Sequence, residues 1–314
     1  MTSVFAHMRL YLKACISLLL LLPFSLSWGQ QAVLQVVTKK VEKSFSYKPG
    51  YEVNIEGEKA DVSIQTWDKN EIKVELELIA KHKDQSVALK DIENLKYLAK
   101  RVKNKVYLRN YVSSEEGTPK PLAALTARYL ITLPEECPVY LKNHFGEANI
   151  SNLTNSLRVN SEFSSIGLDN IQGTVDVQSR FGDIIGDLID GQVRINSRRS
   201  DVLLTNISGS YDITSHYGVI RIFAEDELLK LNLDATHSDV YFINPNPAFY
   251  SYNLEANQGD ISVPDDLKLA LLEDQPSLKR YRFKPPSREY FATITLTVTF
   301  GNINLEKGDK VPKP

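Results

Sequence analysis

The side chains best equipped for chemistry in this 314-residue sequence lie close together. Asp183 and Asp201 stand eighteen residues apart, and two carboxylates held near one another can do general acid–base work. The plainer reading is that each caps backbone N–H groups in a turn, and we adopt it. His216 and His237 are a second pair, but zinc needs three or four protein ligands and no third presents itself. Cys137 lies in Pro134-Glu135-Glu136-Cys137-Pro138 with no histidine near, which describes a buried, inert thiol. That leaves Arg180, Arg198, Arg199 and His216. Arginine forks suit carboxylates and sulfates. Against this, Glu162, Asp183 and Asp201 are available to neutralise such a corner. The expectation is a chain with no catalytic residue, no cofactor and no metal, whose candidate ligand-binding residues are these four.

What must position them is a repeat. Phe145, Phe163, Phe181, Arg199 and Tyr217 recur every eighteen residues. Apolar columns follow at Ala148/Ile166/Ile184/Val202/Ile220 and Ile150/Leu168/Gly186/Leu204/Ile222. Leu153/Ile171/Ile189/Ile207, Leu157/Val175/Val193/Tyr211 and Val159/Val177/Ile195/Ile213 complete the set, with glycines at 173, 191 and 209 between. Apolar residues two apart mean strands. Each unit therefore holds two short strands joined at a glycine turn, where Asn152, Asn170 and Asn206 suit left-handed backbone. A two-strand unit buries its apolar side only by stacking on its neighbours. The pattern predicts a mainly β chain, a parallel β-solenoid of ~18-residue two-strand coils. The column Arg158, Asp176, Arg194, Asp212 alternates in charge and would resist a slipped register.

The strict repeat covers 145–223, and looser copies extend it at both ends, to about eight coils. One insertion spans about 84–134. In it Ile92, Leu95, Leu98, Ala99 and Val102 recur at helical spacing, which predicts an amphipathic helix over Ser86–Val102 and then a strand Lys105–Tyr111. A second insertion, 264–288, carries Pro276, Pro285 and Pro286 and reads as a short helix plus loop.

Residues 1–29 read as a secretory signal peptide: Arg9 and Lys13, an apolar stretch from Ala14 to Leu26, then Ser27-Trp28-Gly29. The stretch is shorter than the ~20 residues of a spanning helix. Cleavage before Gln30 removes two basic residues and Cys15, so the formal charge becomes 35 − 39 = −4 and Cys137 stays without a disulfide partner. One solenoid domain, 30–314, remains, with no later segment apolar enough to span a bilayer. The small negative charge favours neither nucleic acid nor an anionic membrane as partner.

Gly57–Leu78, with Asp61-Val62-Ser63-Ile64-Gln65-Thr66-Trp67 at its centre, resembles the opening motif of a bacterial family, the exported "putative adhesins". Phe181-Gly182-Asp183-Ile184 and Gln258-Gly259-Asp260-Ile261 resemble that family's Gly-Asp-Ile type turn. The resemblance runs from about Phe45 to Leu305. It implies export to the periplasm, cell surface or exterior and an adhesin-like, non-enzymatic role. The expected partner is an unknown macromolecule, of which an envelope polysaccharide and a surface protein are the candidate classes. It supplies no catalytic residues. The competing function is a polysaccharide-acting β-helix enzyme, which needs a cleft of convergent carboxylates. The residues fit neither a hexapeptide acyltransferase, whose apolar residues fall six apart, nor a calcium β-roll, which needs paired glycines at nine-residue spacing.

Overall fold

The structure, a computed structural model, describes residues 33–113, 120–286 and 292–308. The expected signal peptide with Cys15, most of the Ser113–Lys120 loop and the end of the second insertion lie outside the described residues. From Gln35 onward the chain forms one compact unit. It is mainly β, with one short helix, Gln85–Asp91.

Repeated apolar pairs need a partner of the same spacing, and each coil finds it in the next. Val139–Ser151 pairs in parallel with Ser156–Arg180, Leu141 opposite Val159 and Ala148 opposite Ile166. That strand pairs in parallel with Ile184–Arg198, Ile166 opposite Ile184 and Val177 opposite Ile195. Ile184–Arg198 in turn pairs with Val202–Asn244, Ile195 opposite Ile213. All these steps are eighteen residues. The apolar columns face inward: Ile184, Ile189 and Ile195 are fully buried and Val193 nearly so. Each such side chain contributes roughly 1.5–3 kcal/mol. Gly186 breaks its column because a Cβ there would sit 2.6 Å from the Ile189 Cδ1.

Two left-handed corners turn each coil of the strict repeat. At one stand Asn152, Asn170, Leu188 and Asn206, with φ between 50° and 61°. Three residues on, Gly191 has φ 132°, and a Cβ on it would meet the Gly173 carbonyl oxygen at 2.0 Å. The other corner carries the candidate site.

The ends depart from a wholly parallel solenoid. Gln35–Ser46 pairs antiparallel with Glu71–His82, which pairs antiparallel with Ala124–Pro134. Leu95–Val102 and Lys105–Val112 form a hairpin, as do Ala270–Gln275 and Leu278–Phe283. The sheet is therefore mixed. Two helix expectations fall with this. The predicted helix Ser86–Val102 stops at Asp91, and Leu95–Val102 is a strand, because Lys103 at φ 55° turns the chain back onto Lys105–Val112. The predicted Lys105–Tyr111 strand is present. In the second insertion the described residues form the hairpin around Pro276-Ser277, with no helix.

Coil order differs from chain order at both ends. Glu52–Glu58 lies between Lys105–Val112 and Val139–Ser151, parallel to both. Thr293–Thr299 lies between Val202–Asn244 and Ser251–Asn257, again parallel to both. The first coil in sequence is thus covered by an insertion strand, Lys105–Val112, and the last by Ser251–Asn257, whose own outer edge the insertion strand Leu278–Phe283 covers.

Candidate functional site

The eighteen-residue aromatic column becomes a ladder on one corner. Lys59, Phe145, Phe163, Phe181, Arg199, Tyr217, His237, Phe300 and Gln258 all take φ between 50° and 61° and follow one another in coil order. The side chains stack face to face. Phe145 and Phe163 lie 4.9 Å apart at 10°, and Phe163 and Phe181 4.7 Å apart at 6°. Arg199 places its guanidinium over Phe181 at 5.4 Å and Tyr217 at 5.8 Å. His237 continues the stack, 4.9 Å from Tyr217 and 4.8 Å from Phe300. The rings are not core residues: Phe163 is 42% exposed, Tyr217 48% and Phe300 52%. Their faces cover one another, so ring edges meet solvent. An aromatic ring is negative on its face and positive at its edge.

Beneath the ladder the turn is held by a polar column. Ser161 Oγ donates to the Ser164 carbonyl at 3.1 Å, and Ser179 Oγ to that of Gly182 at 2.7 Å. Gly182 and Gly218 alternate with serines along the next column, each lying against the carbonyl of the serine one coil away.

Residues 51–306 match the family model described as Toastrack DUF4097. The chain belongs to the Toastrack family. Among solved structures it is similar to a "putative adhesin" from Bacteroides fragilis, with 13% identity, TM-score 0.46, and coverage of 85% of this chain and 97% of the other. It is also similar to a "putative adhesin" from Parabacteroides merdae (10%, TM-score 0.41, 86% and 96%). A "putative cell adhesion protein" from Clostridium sporogenes is a third (14%, TM-score 0.24, 85% and 99%). No curated protein matches the sequence.

The candidate residues come together on this Toastrack corner. Glu162, Arg180, Arg198 and His216 form the exposed column beside the ladder, Arg180 opposite Arg198 and Arg198 opposite His216. Arg199 is a rung of the ladder itself. Asp183 and Asp201 are already engaged on backbone. Asp183 Oδ1 accepts from the Asp201 N–H at 2.9 Å, and Asp201 Oδ1 from the Val219 N–H at 2.8 Å. Glu162 lies 3.6 Å from His144. Among the described residues no carboxylate comes within 4.0 Å of Arg180, Arg198 or Arg199.

Other candidates sit apart from this corner. His216 and His237 belong to neighbouring columns, and among the described residues no three His, Cys, Asp or Glu side chains are placed to hold a metal ion. Cys137 is buried, and that burial pushes its thiol up to about 12. In the alternating-charge column Arg158 meets Asp176 at 3.8 Å, while Asp212 accepts instead from Asn232. No helix among the described residues is long and apolar enough to cross a membrane.

By its eighteen-residue spacing alone the aromatic column ends at Tyr217. Its continuation through His237 and Phe300 was hidden by a twenty-residue step and by the inserted last coil. The signal was present in Phe300-Gly301-Asn302-Ile303, which repeats Phe181-Gly182-Asp183-Ile184.

Proposed function

We propose that this chain is an exported, adhesin-like binding protein of the cell envelope or surface, and that it works without catalysis. It is made with a signal peptide, residues 1–29, and matures as the single domain 30–314, a solenoid built on Gly-Asp-Ile type turns. Its ligand is an acidic polymer of the envelope, such as a polysaccharide bearing carboxylate or sulfate. The corner formed by Arg180, Arg198, Arg199 and His216 reads that ligand.

One observation carries this reading. Three arginines stand exposed in adjoining coils, and the neighbouring aspartates are spent on backbone N–H groups. With no carboxylate within 4.0 Å of them among the described residues, their guanidinium N–H groups remain available to an external anion. The ladder supports it, because a row of positive ring edges lies beside the guanidiniums.

Binding of the mature protein to alginate and to heparin, as carboxylated and sulfated probes, tests the reading. The Arg198→Ala/Arg199→Ala variant should keep its circular dichroism and thermal melt and lose most of its affinity. Unchanged binding by the folded variant would return the corner to structure. Intact mass of exported protein, expected to begin at Gln30, tests the export step.

A further inference from the structure

The ladder has an end, and a second site lies there. On the outer face beside Phe145, four successive layers enclose a depression of about 420 Å³. Ile79, on Glu71–His82, is outward-pointing yet only 8% exposed, and it forms an apolar floor with the Phe145 ring. Lys81 and Arg128 rise around it from two strands, and Lys59 from the left-handed corner between Glu52–Glu58 and Ala60–Trp67. Lys59 occupies the ladder position one layer beyond Phe145 and is held left-handed at φ 50°. No carboxylate lies within 4.0 Å of Lys59 or Lys81 among the described residues. Arg128 is steadied by Glu77 at 3.3 Å. Asp61 also lines the depression.

We propose that this depression binds the terminal acidic sugar of the polymer whose chain runs along the ladder to the arginines. The inference rests on the acidic-polymer reading above. A pyranose offers an apolar face to Phe145 and Ile79. Its carboxylate meets Lys59, Lys81 and Arg128, and a hydroxyl donates to Asp61. Two lysines without a carboxylate partner, beside an Arg128 already paired with Glu77, outnumber the one lining carboxylate and select an anionic ligand, and the apolar floor selects one with a flat apolar body. The volume is at the lower end of small-ligand sites, which fits a ring or two and no more.

Geometry gives the site a length rule. Lys59 and Arg199 are four layers apart in the ladder, about 19 Å at ~4.8 Å per layer. An oligomer long enough to span both sites binds the second one intramolecularly, so its affinity exceeds that at either site.

Titration calorimetry with uronic-acid oligomers of graded length tests this. Wild-type affinity should rise steeply once the oligomer spans about 19 Å, by about tenfold or more. Lys59→Asn/Lys81→Gln should remove that step and lower the number of short oligomers bound, leaving only the arginine corner occupied; asparagine is chosen because it tolerates left-handed backbone. Arg198→Ala/Arg199→Ala should weaken both short and long oligomers. A length step that survives in the lysine variant overturns the end site while leaving the arginine reading intact. Equal binding of a neutral oligosaccharide of the same length, or a fatty acid competing for the depression, overturns it too. If no oligomer binds wild-type protein, both proposals fall.

Discussion

Three buried tyrosines allow a test of the fold in which the sign of the effect differs between sites. Tyr211 stands in an apolar column otherwise filled by Leu157, Val175 and Val193, and its hydroxyl donates to the Ile189 carbonyl at 2.6 Å. Tyr129 and Tyr252 are as deeply buried, but among the described residues their hydroxyls have no hydrogen-bond partner. Phenylalanine removes the oxygen and little else. At Tyr211 this leaves a buried carbonyl without its donor, at a cost of about 1–3 kcal/mol. At Tyr129 and Tyr252 it removes a polar atom whose burial is uncompensated, so the change is neutral or stabilising by about 1 kcal/mol. Urea unfolding of the three single variants reads this directly, as midpoint shifts at constant slope. Tyr211→Phe should move the midpoint down, and the other two should leave it in place or raise it. Alkaline pH supplies a second arm. Burial raises all three hydroxyl pKa values above the unfolded value of about 10. A raised folded pKa gives stability that is present below pH 10 and lost as pH climbs beyond it. Each phenylalanine variant should therefore lose less stability above pH 10 than wild type. A common downward shift for all three, or none for Tyr211→Phe, would refute the assignment of partners.

The remaining predictions concern register, corner and thiol. Ile195→Asp buries an unpaired carboxylate and should destabilise by several kcal/mol, while Gln192→Asp, exposed in the same coil, should change little; equal thermal melts would contradict the register. Gly191→Ala should destabilise far more than Gly50→Ala, since both are left-handed but a Cβ at Gly191 strikes the Gly173 carbonyl whereas nothing lies within 4 Å at Gly50. Cys137, with its thiol pushed up to about 12, should resist a thiol reagent at pH 8 until the chain unfolds; rapid labelling of folded protein would show the site to be open. Because that folded pKa is raised, its contribution to stability holds below pH ~9 and is lost as pH rises toward 12.

The coils were legible because each layer repeats one demand. A strand with two inward aliphatics fits one partner spacing, and eighteen residues met it from Val139 to Ile222. The insertions were not legible, since periodicity there competed with pairing partners that the sequence does not display. Ile92 and Leu95 are buried as a helix would have them, but Leu98 and Ala99 lie on a strand. A short helix is weakly stable alone, and the neighbouring Lys105–Val112 offers a full set of hydrogen bonds across a turn at Lys103. Coil order was hidden for the same reason. Nothing local in Thr293–Thr299 says that it slides between 230–236 and 251–257. Of the candidate site, the arginine column could be read from spacing, whereas the depression beside Phe145 could not. It is assembled from residues 59, 79, 81, 128 and 145, which share no period.

The two corners make the case that the ladder is built for something beyond turning the chain. Both put a left-handed residue in each coil of the strict repeat, and the second does so beyond it. At the first, three of four positions are asparagine, which takes that conformation readily. At the second, the same conformation is imposed on Phe, Tyr, His, Arg and Lys, for which it costs roughly 1–2 kcal/mol each. Stacking returns about 0.5–1.5 kcal/mol per ring pair, so strain and stacking are of similar size. Asparagine in the second column would fold as well without exposing a row of aromatic edges to water. An arrangement no more stable than its simpler alternative, concentrated on one exposed line beside three arginines without carboxylate partners, is what strain kept for recognition looks like. Substituting asparagine at Phe163 and Phe181 separates the two roles: stability should hold within about 1 kcal/mol while binding to the acidic polymer falls.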